Sequence, residues 1–97
     1  MKNPDLVKAF RAARVLIRSG HQAYICYAID RAYARGQITD ATHVAAKKIV
    51  VERLGRSTYA GWVREHHPKV YQEMTQQEGA FNEGRLQWLD SLTEEFS

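Results

Sequence analysis

Glycines interrupt a helical hydrophobic pattern at intervals along this chain. Gly20, Gly36 and Gly55 separate segments in which apolar residues recur at three- and four-residue spacing, the period of an α-helix. Glycine adopts the left-handed backbone conformation that ends a helix without steric cost. A strand over residues 23–27 is the competing interpretation, but apolar and polar residues do not alternate there. Because 97 residues leave room for one hydrophobic core, we expect an all-α fold over residues 1–97, a compact single-domain bundle of about five to six short helices.

Helix-start signals mark the first half of the chain. Asn3 and Thr39 are capping residues, and Pro4 suits the first turn of a helix. The second segment is apolar around most of its circumference, which places it at the centre of the bundle. The expected helices of this half are Pro4 to about Ser19, His21–Arg35 and Asp40 to about Leu54.

Proline and glycine also divide the second half. Ser57 or Thr58 caps a short fourth helix, which ends before Pro68 because a residue that precedes proline avoids the helical conformation. Pro68 itself begins a fifth helix. A break near Gly79 and Asn82 then separates a sixth helix, or the fifth and sixth form one long kinked helix.

Charge is distributed unevenly along the chain. The formal net charge is +3, but residues 1–64 carry a net +8 and residues 65–97 carry a net −5. Opposite charges on two segments favour their association, either within one chain or between copies, and we expect a homo-oligomer. The basic excess is small for a protein that coats duplex DNA through phosphate contacts.

Composition also limits the surroundings of the protein. The one cysteine, Cys26, cannot form an intramolecular disulfide and fits a reducing compartment. No apolar run is long enough to span a membrane, and the segment Met1–Asp5 lacks the apolar core of a signal peptide. We therefore expect a cytoplasmic protein without a membrane partner.

Basic and aromatic residues form rows on the first two predicted helices. Three- and four-residue spacing puts the members of each row on one helix face. The predicted ligand-binding residues are Lys8, Arg11, Arg14 and Arg18 in the first row and Tyr24, Tyr27, Arg31 and Arg35 in the second. Arginine binds phosphate oxygens through two N–H groups, and tyrosine rings stack on bases. Adjacent rows predict a site for a nucleotide or another phosphate-bearing ligand; otherwise the arginines are solvated and the tyrosines complete the core.

The last predicted helix carries a dense apolar face. The residues of this face that we predict to bind a partner are Trp88, Leu89, Leu92 and Phe96. The face either completes the core of the chain or packs against another copy or a partner protein. The second interpretation leads to an alternative function, an inhibitor or regulator of a bacterial host or defence protein.

Motifs of catalysis and metal binding are missing from the sequence. No P-loop, dinucleotide fingerprint or Gly-x-Ser-x-Gly motif is present, and Cys26 lies in the most apolar segment, which favours an inert thiol. The adjacent histidines of Glu65–His67 point to different sides of a helix, unlike zinc ligands. We expect no catalytic residue, no cofactor and no metal ion, and hence no enzyme.

Nucleic-acid binding is a further alternative. The turn at residues 36–39 lies between two predicted helices, as in a helix-turn-helix. However, the second of these helices begins with Asp40, whose carboxylate would face DNA phosphates. Duplex recognition is therefore disfavoured relative to binding of a small anion.

Several short segments resemble small uncharacterised proteins encoded by tailed bacteriophages. These segments are Leu16–Gly20, Tyr24–Ile29, Arg53–Gly55 with the later Trp62, and Arg85–Asp90 with Glu95 and Phe96. The resemblance implies a phage or prophage origin and a location in the cytoplasm of a bacterial host. Such families include counter-defence proteins, some of which are small helical oligomers that sequester cyclic-nucleotide signals. We therefore expect a non-enzymatic accessory protein that binds an anionic ligand, most specifically a nucleotide signal.

Overall fold

A computed structural model describes residues 2–20, 24–56, 59–76 and 81–97, and these residues form six helices and no strand. The helices are α1 (Pro4–Arg18), α2 (Ile25–Ala34), α3 (Asp40–Arg56), α4 (Tyr59–His66), α5 (Pro68–Gln76) and α6 (Phe81–Phe96). The predicted all-α single domain is confirmed. None of the helices within these ranges is long and apolar enough to cross a membrane.

The ends of α1 follow from its sequence signals. The backbone N–H of Leu6 donates to the Asn3 side-chain oxygen at 3.2 Å, so Asn3 is the predicted cap. Pro4 occupies the first turn, where the missing N–H costs no hydrogen bond. The helix stops at Arg18, and Gly20 follows with φ +80°. Both predicted end signals of α1 are therefore confirmed.

α2 is shorter than predicted at its N-terminal end. It begins at Ile25 rather than His21, because Tyr24 has extended backbone angles of φ −102° and ψ 135° and caps the helix from outside. Residues 21–23 lie outside the described residues. The helix ends after Ala34, and Gly36 has φ +74°, as the predicted glycine turn requires.

α3 begins at the predicted cap and turns a narrow face to the core. The Thr39 hydroxyl accepts a hydrogen bond from the N–H of Thr42 at 3.2 Å. Thr42, Ala46 and Val50 are buried at four-residue spacing. On the outer side of the same helix, Val44 is 65% exposed.

Proline separates α4 from α5 as predicted, since α4 ends at His66 and α5 begins at Pro68. The predicted caps Ser57 and Thr58 lie outside the described residues, as does Gly79. Asn82 lies within α6 and so does not mark a break.

α1 and α6 form the centre of the bundle, and the prediction that α2 lies there is wrong. α1 packs against α2, α3 and α6, and α6 also packs against α4 and α5. The rings of Phe10 and Phe96 lie 6.2 Å apart between the two central helices. The N–H of Asn3 donates to the carbonyl of Phe96 at 2.8 Å. The residue before α1 is thereby hydrogen-bonded to the last residue of α6.

Two ion pairs connect the basic part of the chain to the acidic part. Arg14 donates to both carboxylate oxygens of Asp90, at 2.7 and 3.2 Å. Arg53 of α3 donates to both oxygens of Glu95, at 2.7 and 2.8 Å. At these two points the opposite charges of the two segments attract within one chain. Association between copies stays a prediction.

The buried seam of α6 should dominate the stability of the fold. We expect Leu89→Ala, at a side chain with 0% exposure, to lower the free energy of unfolding by about 2–5 kcal/mol, since the substitution leaves a cavity. Urea denaturation followed by circular dichroism measures this loss. Val44→Ala, at an exposed position, should change the free energy of unfolding by less than about 0.5 kcal/mol. Equal effects of the two substitutions would contradict the packing of α6 described above.

Candidate functional site

The apolar face of α6 lies inside the protein. The four residues predicted to bind a partner are at most 7% exposed: Trp88, Leu89, Leu92 and Phe96. They belong to the same hydrophobic cluster as the buried residues of α1 and α2. The expectation of a partner-binding face is corrected here, because these side chains complete the core and present no surface to a second protein.

The basic row of α1 is divided between two environments. Arg14 is held by Asp90, and this hydrogen bond raises the pKa of the Arg14 guanidinium. Two donors of Arg14 are thus used within the chain, and its predicted role in ligand binding stays a prediction. Lys8, Arg11 and Arg18 are exposed, and within the described part of the chain they form no ion pair.

Lys8 and Arg11 line a groove near the ends of the chain. This groove has a volume of about 420 Å³, and Val7 and Phe96 supply apolar surface to it. Arg18 does not line it. The exposed part of the first row is therefore distributed along α1 rather than gathered at one point.

The row of α2 is exposed along its whole length. Tyr24 and Tyr27 are each 59% exposed, and their rings meet edge to face with centroids 5.9 Å apart. Arg31 and Arg35 follow on the same side of the helix at four-residue spacing, both exposed and without an ion pair among the described residues. The tyrosines therefore do not complete the core.

A second groove lies beside these tyrosines, and we call it the tyrosine groove. It has a volume of about 470 Å³ and is lined by Tyr24, Ile25, Cys26, Tyr27, Leu54 and Arg85. The guanidinium carbon of Arg85 lies 5.3 Å from the centre of the Tyr24 ring, within cation–π range. Three helices contribute to this groove: the start of α2, the end of α3 and the first half of α6.

Arg85 and Leu54 are the residues of this groove that sequence reasoning did not predict. Both are distant from α2 along the chain and reach it only through tertiary packing. One signal was present, since Arg85 is one of two basic residues in the acidic segment 65–97. Lys8 and Arg11 of the first row line one groove, and Tyr24 and Tyr27 of the second row line the other. Arg31 and Arg35 do not line the tyrosine groove, which is the candidate site.

Cys26 forms part of the wall of the tyrosine groove. Its side chain is half-buried, and burial raises the pKa of its thiol, with Lys47 acting in the opposite direction. A thiol with a raised pKa is a poor nucleophile at neutral pH. The groove therefore offers surface and charge to a ligand rather than an activated thiolate.

A cluster of ionisable side chains connects α2 and α3. One oxygen of Asp30 lies 2.6 Å from Nε2 of His43 and 2.9 Å from Nζ of Lys47. The ring of His43 stacks on that of Tyr33, with centroids 4.2 Å apart and planes 3° from parallel. The Tyr33 hydroxyl donates to Asp40.

Sequence reasoning missed the pairing of Asp30 with His43. The Asp30–His43 and Tyr33–Asp40 pairs are both centred between residues 36 and 37, in the turn between α2 and α3. An antiparallel helical hairpin brings such residues together. The signal was therefore the register of the hairpin rather than a local motif. Among the described residues, no group of three or more histidine, cysteine or carboxylate side chains is arranged to hold a metal ion.

The histidines at the end of α4 have an aromatic neighbour. The ring of Trp62 lies 4.7 Å from that of His66 and 5.2 Å from that of His67. Nδ1 of His66 is also 3.0 Å from the carbonyl oxygen of Trp62. These contacts explain the positions of both imidazoles by packing within the chain.

Comparison with known proteins identifies no relative. No protein-family model, no curated protein and no solved structure matches this chain. The resemblance to phage-encoded proteins therefore stays a prediction, and geometry is the basis for inferring a function.

The Asp30 cluster should make stability depend on pH at acidic values. The hydrogen bonds from His43 and Lys47 hold the pKa of Asp30 below its usual value. Because its pKa is lowered in the folded state, the ionised Asp30 stabilises the fold at pH values above the ordinary carboxyl pKa of about 4. This stability is lost as pH falls below that value and through the lower folded-state pKa. Because the Asp30 side chain is 38% exposed, we expect its contribution to the free energy of unfolding to be less than about 1 kcal/mol.

Asp30→Asn tests this dependence. The variant should be less stable than the parent in urea at neutral pH. The difference should shrink as pH falls below about 4, because the unfolded parent is then protonated at Asp30 and must lose that proton to form the ion pairs. Glu94→Gln, at an exposed carboxylate, is the matched control and should show a smaller difference at neutral pH. A difference for Asp30→Asn that grows on acidification would contradict the assignment.

Proposed function

We propose that this protein is a non-enzymatic binding protein for a nucleotide, a ligand that carries both an aromatic ring and an anionic group. The observation that supports this proposal is the tyrosine groove. There, Arg85 lies over the Tyr24 ring beside a second exposed tyrosine, and Ile25 and Leu54 supply apolar surface. Each part of the groove matches a different part of a nucleotide.

The tyrosines provide surface for a base. Tyr24 and Tyr27 expose more than half of their area, which is unusual for large aromatic side chains in a small domain. A base stacked on an aromatic side chain gains about 1–3 kcal/mol, and every base has a face suitable for stacking. Contact with a base would also remove part of this exposed apolar surface from water.

The arginine provides the charge for a phosphate. Arg85 is positioned at the rim of the groove by α6, and a guanidinium group matches the geometry of two phosphate oxygens. Cys26 contributes no competing negative charge, because burial raises the pKa of its thiol.

The size of the groove fits a small ligand. A volume of about 470 Å³ lies within the usual range of about 300–1,000 Å³ for small-molecule sites. The most specific form of the proposal is sequestration of a nucleotide signal, a role found among the phage-encoded proteins that the chain resembles. Sequestration requires that the ligand is bound tightly and is not chemically changed.

Nucleotide binding should stabilise the folded protein. We expect a nucleoside monophosphate to raise Tm in a concentration-dependent way, since a ligand that binds only the folded state shifts the unfolding equilibrium. Titration calorimetry should show that Tyr24→Ala and Tyr27→Ala each weaken the affinity by about tenfold, the loss of one stacking contact. The ligand should be recovered chemically unchanged.

Tyr33→Ala is the matched control for these variants. Tyr33 belongs to the same helix but stacks on His43 rather than lining the groove. Its replacement should lower Tm while leaving nucleotide affinity within about twofold of the parent. Affinity lost equally in all three variants, or no Tm shift in the folded parent with any nucleotide, would overturn the proposal.

Cys26 offers an independent report on occupancy of the groove. A saturating nucleoside monophosphate should slow alkylation of Cys26 by iodoacetamide, because the thiol lies in the wall of the groove. The same nucleotide should give no protection in the Tyr27→Ala variant. An unchanged alkylation rate in the parent at saturation would place the ligand elsewhere.

A further inference from the structure

The row of exposed side chains on α2 continues beyond the tyrosine groove. Tyr24, just before α2, and Tyr27 lie at the groove. Four-residue spacing from Tyr27 puts Arg31 on the same helix face, and Arg35 follows at the C-terminal cap. At a rise of about 1.5 Å per residue, the row extends roughly 16 Å from Tyr24 to Arg35. One nucleotide in the groove would leave the two arginines without a phosphate.

This face of α2 carries no opposing charge. Asp30 is the one carboxylate of the helix, and it points to the α3 side, where His43 and Lys47 bind it. Arg31 and Arg35 form no ion pair among the described residues. The face therefore presents two aromatic rings followed by two cations.

We infer that the ligand is a short single-stranded oligonucleotide, one nucleotide of which occupies the tyrosine groove. This inference rests on the proposed function and extends it along α2. Aromatic platforms next to a line of cations are the usual features of single-strand binding, because unpaired bases stack while the phosphates follow the charges. A stacked strand rises about 3.4 Å per nucleotide, so a row of roughly 16 Å corresponds to a few nucleotides.

A single strand is favoured over a duplex by the tyrosines. Stacking on a side chain requires an accessible base face, which an intact duplex does not offer away from its ends. The basic excess on α1, at Lys8, Arg11 and Arg18, adds a general attraction for any polyanion but does not discriminate between the two forms.

The test compares a nucleoside monophosphate, a single-stranded tetranucleotide and a duplex of matching sequence, each at two salt concentrations. We expect the tetranucleotide to bind more tightly than the monophosphate and the duplex. Arg31→Ala and Arg35→Ala should each weaken tetranucleotide binding by about fivefold. Each should also reduce the steepness of the plot of log affinity against log salt concentration by about 0.7, the value for one lost phosphate contact. Neither substitution should change the affinity for the monophosphate.

Lys48→Ala is the matched control, because Lys48 is an exposed cation on α3 and its loss changes the net charge equally. Equal affinity for monophosphate and tetranucleotide would overturn this inference and leave the proposed function intact. Equal effects of Arg31→Ala and Lys48→Ala, or a duplex that binds as tightly as the single strand, would also overturn it. Absence of binding by both monophosphate and tetranucleotide would overturn the proposed function itself.

Discussion

α6 lies against α1 along a buried apolar seam, and each other helix of the described chain packs against one of these two. The seam joins the beginning and the end of the chain, through the Phe10–Phe96 contact and the hydrogen bond from Asn3 to Phe96. It also determines where Arg85 lies, since Arg85 reaches Tyr24 only because α6 follows α1 in this register. The candidate site therefore depends on the packing of residues that do not belong to it.

Hydrophobic burial and the ion pairs contribute differently to this arrangement. Full burial of a leucine or phenylalanine side chain contributes about 1.5–3 kcal/mol, whereas a partly exposed ion pair contributes less than about 1 kcal/mol. The pairs Arg14–Asp90 and Arg53–Glu95 thus supply only a small part of the stability. They also use two cations of the basic segment, one of which, Arg14, belongs to the α1 row. The other cations of the two rows form no ion pair among the described residues.

Local signals predicted the helices better than they predicted the site. Asn3, Thr39 and Pro68 act within one turn of their own position, so their effects were readable from the sequence. The start of α2 was wrong by several residues, because apolar composition alone does not distinguish a helix from the extended residue that caps it. Tyrosines 24 and 27 were predicted as site residues, but the contribution of Arg85 depends on a contact between distant helices.

The most direct test of the tyrosine groove is an amide chemical-shift map of the folded protein during titration with a nucleoside monophosphate. If the groove binds the nucleotide, the largest shifts should occur at residues 24–27, at Leu54 and at Arg85. The amides of Lys8 and Arg11, which line the other groove, should change little. The largest shifts at Lys8 and Arg11, with residues 24–27 unperturbed, would contradict the assignment of the site.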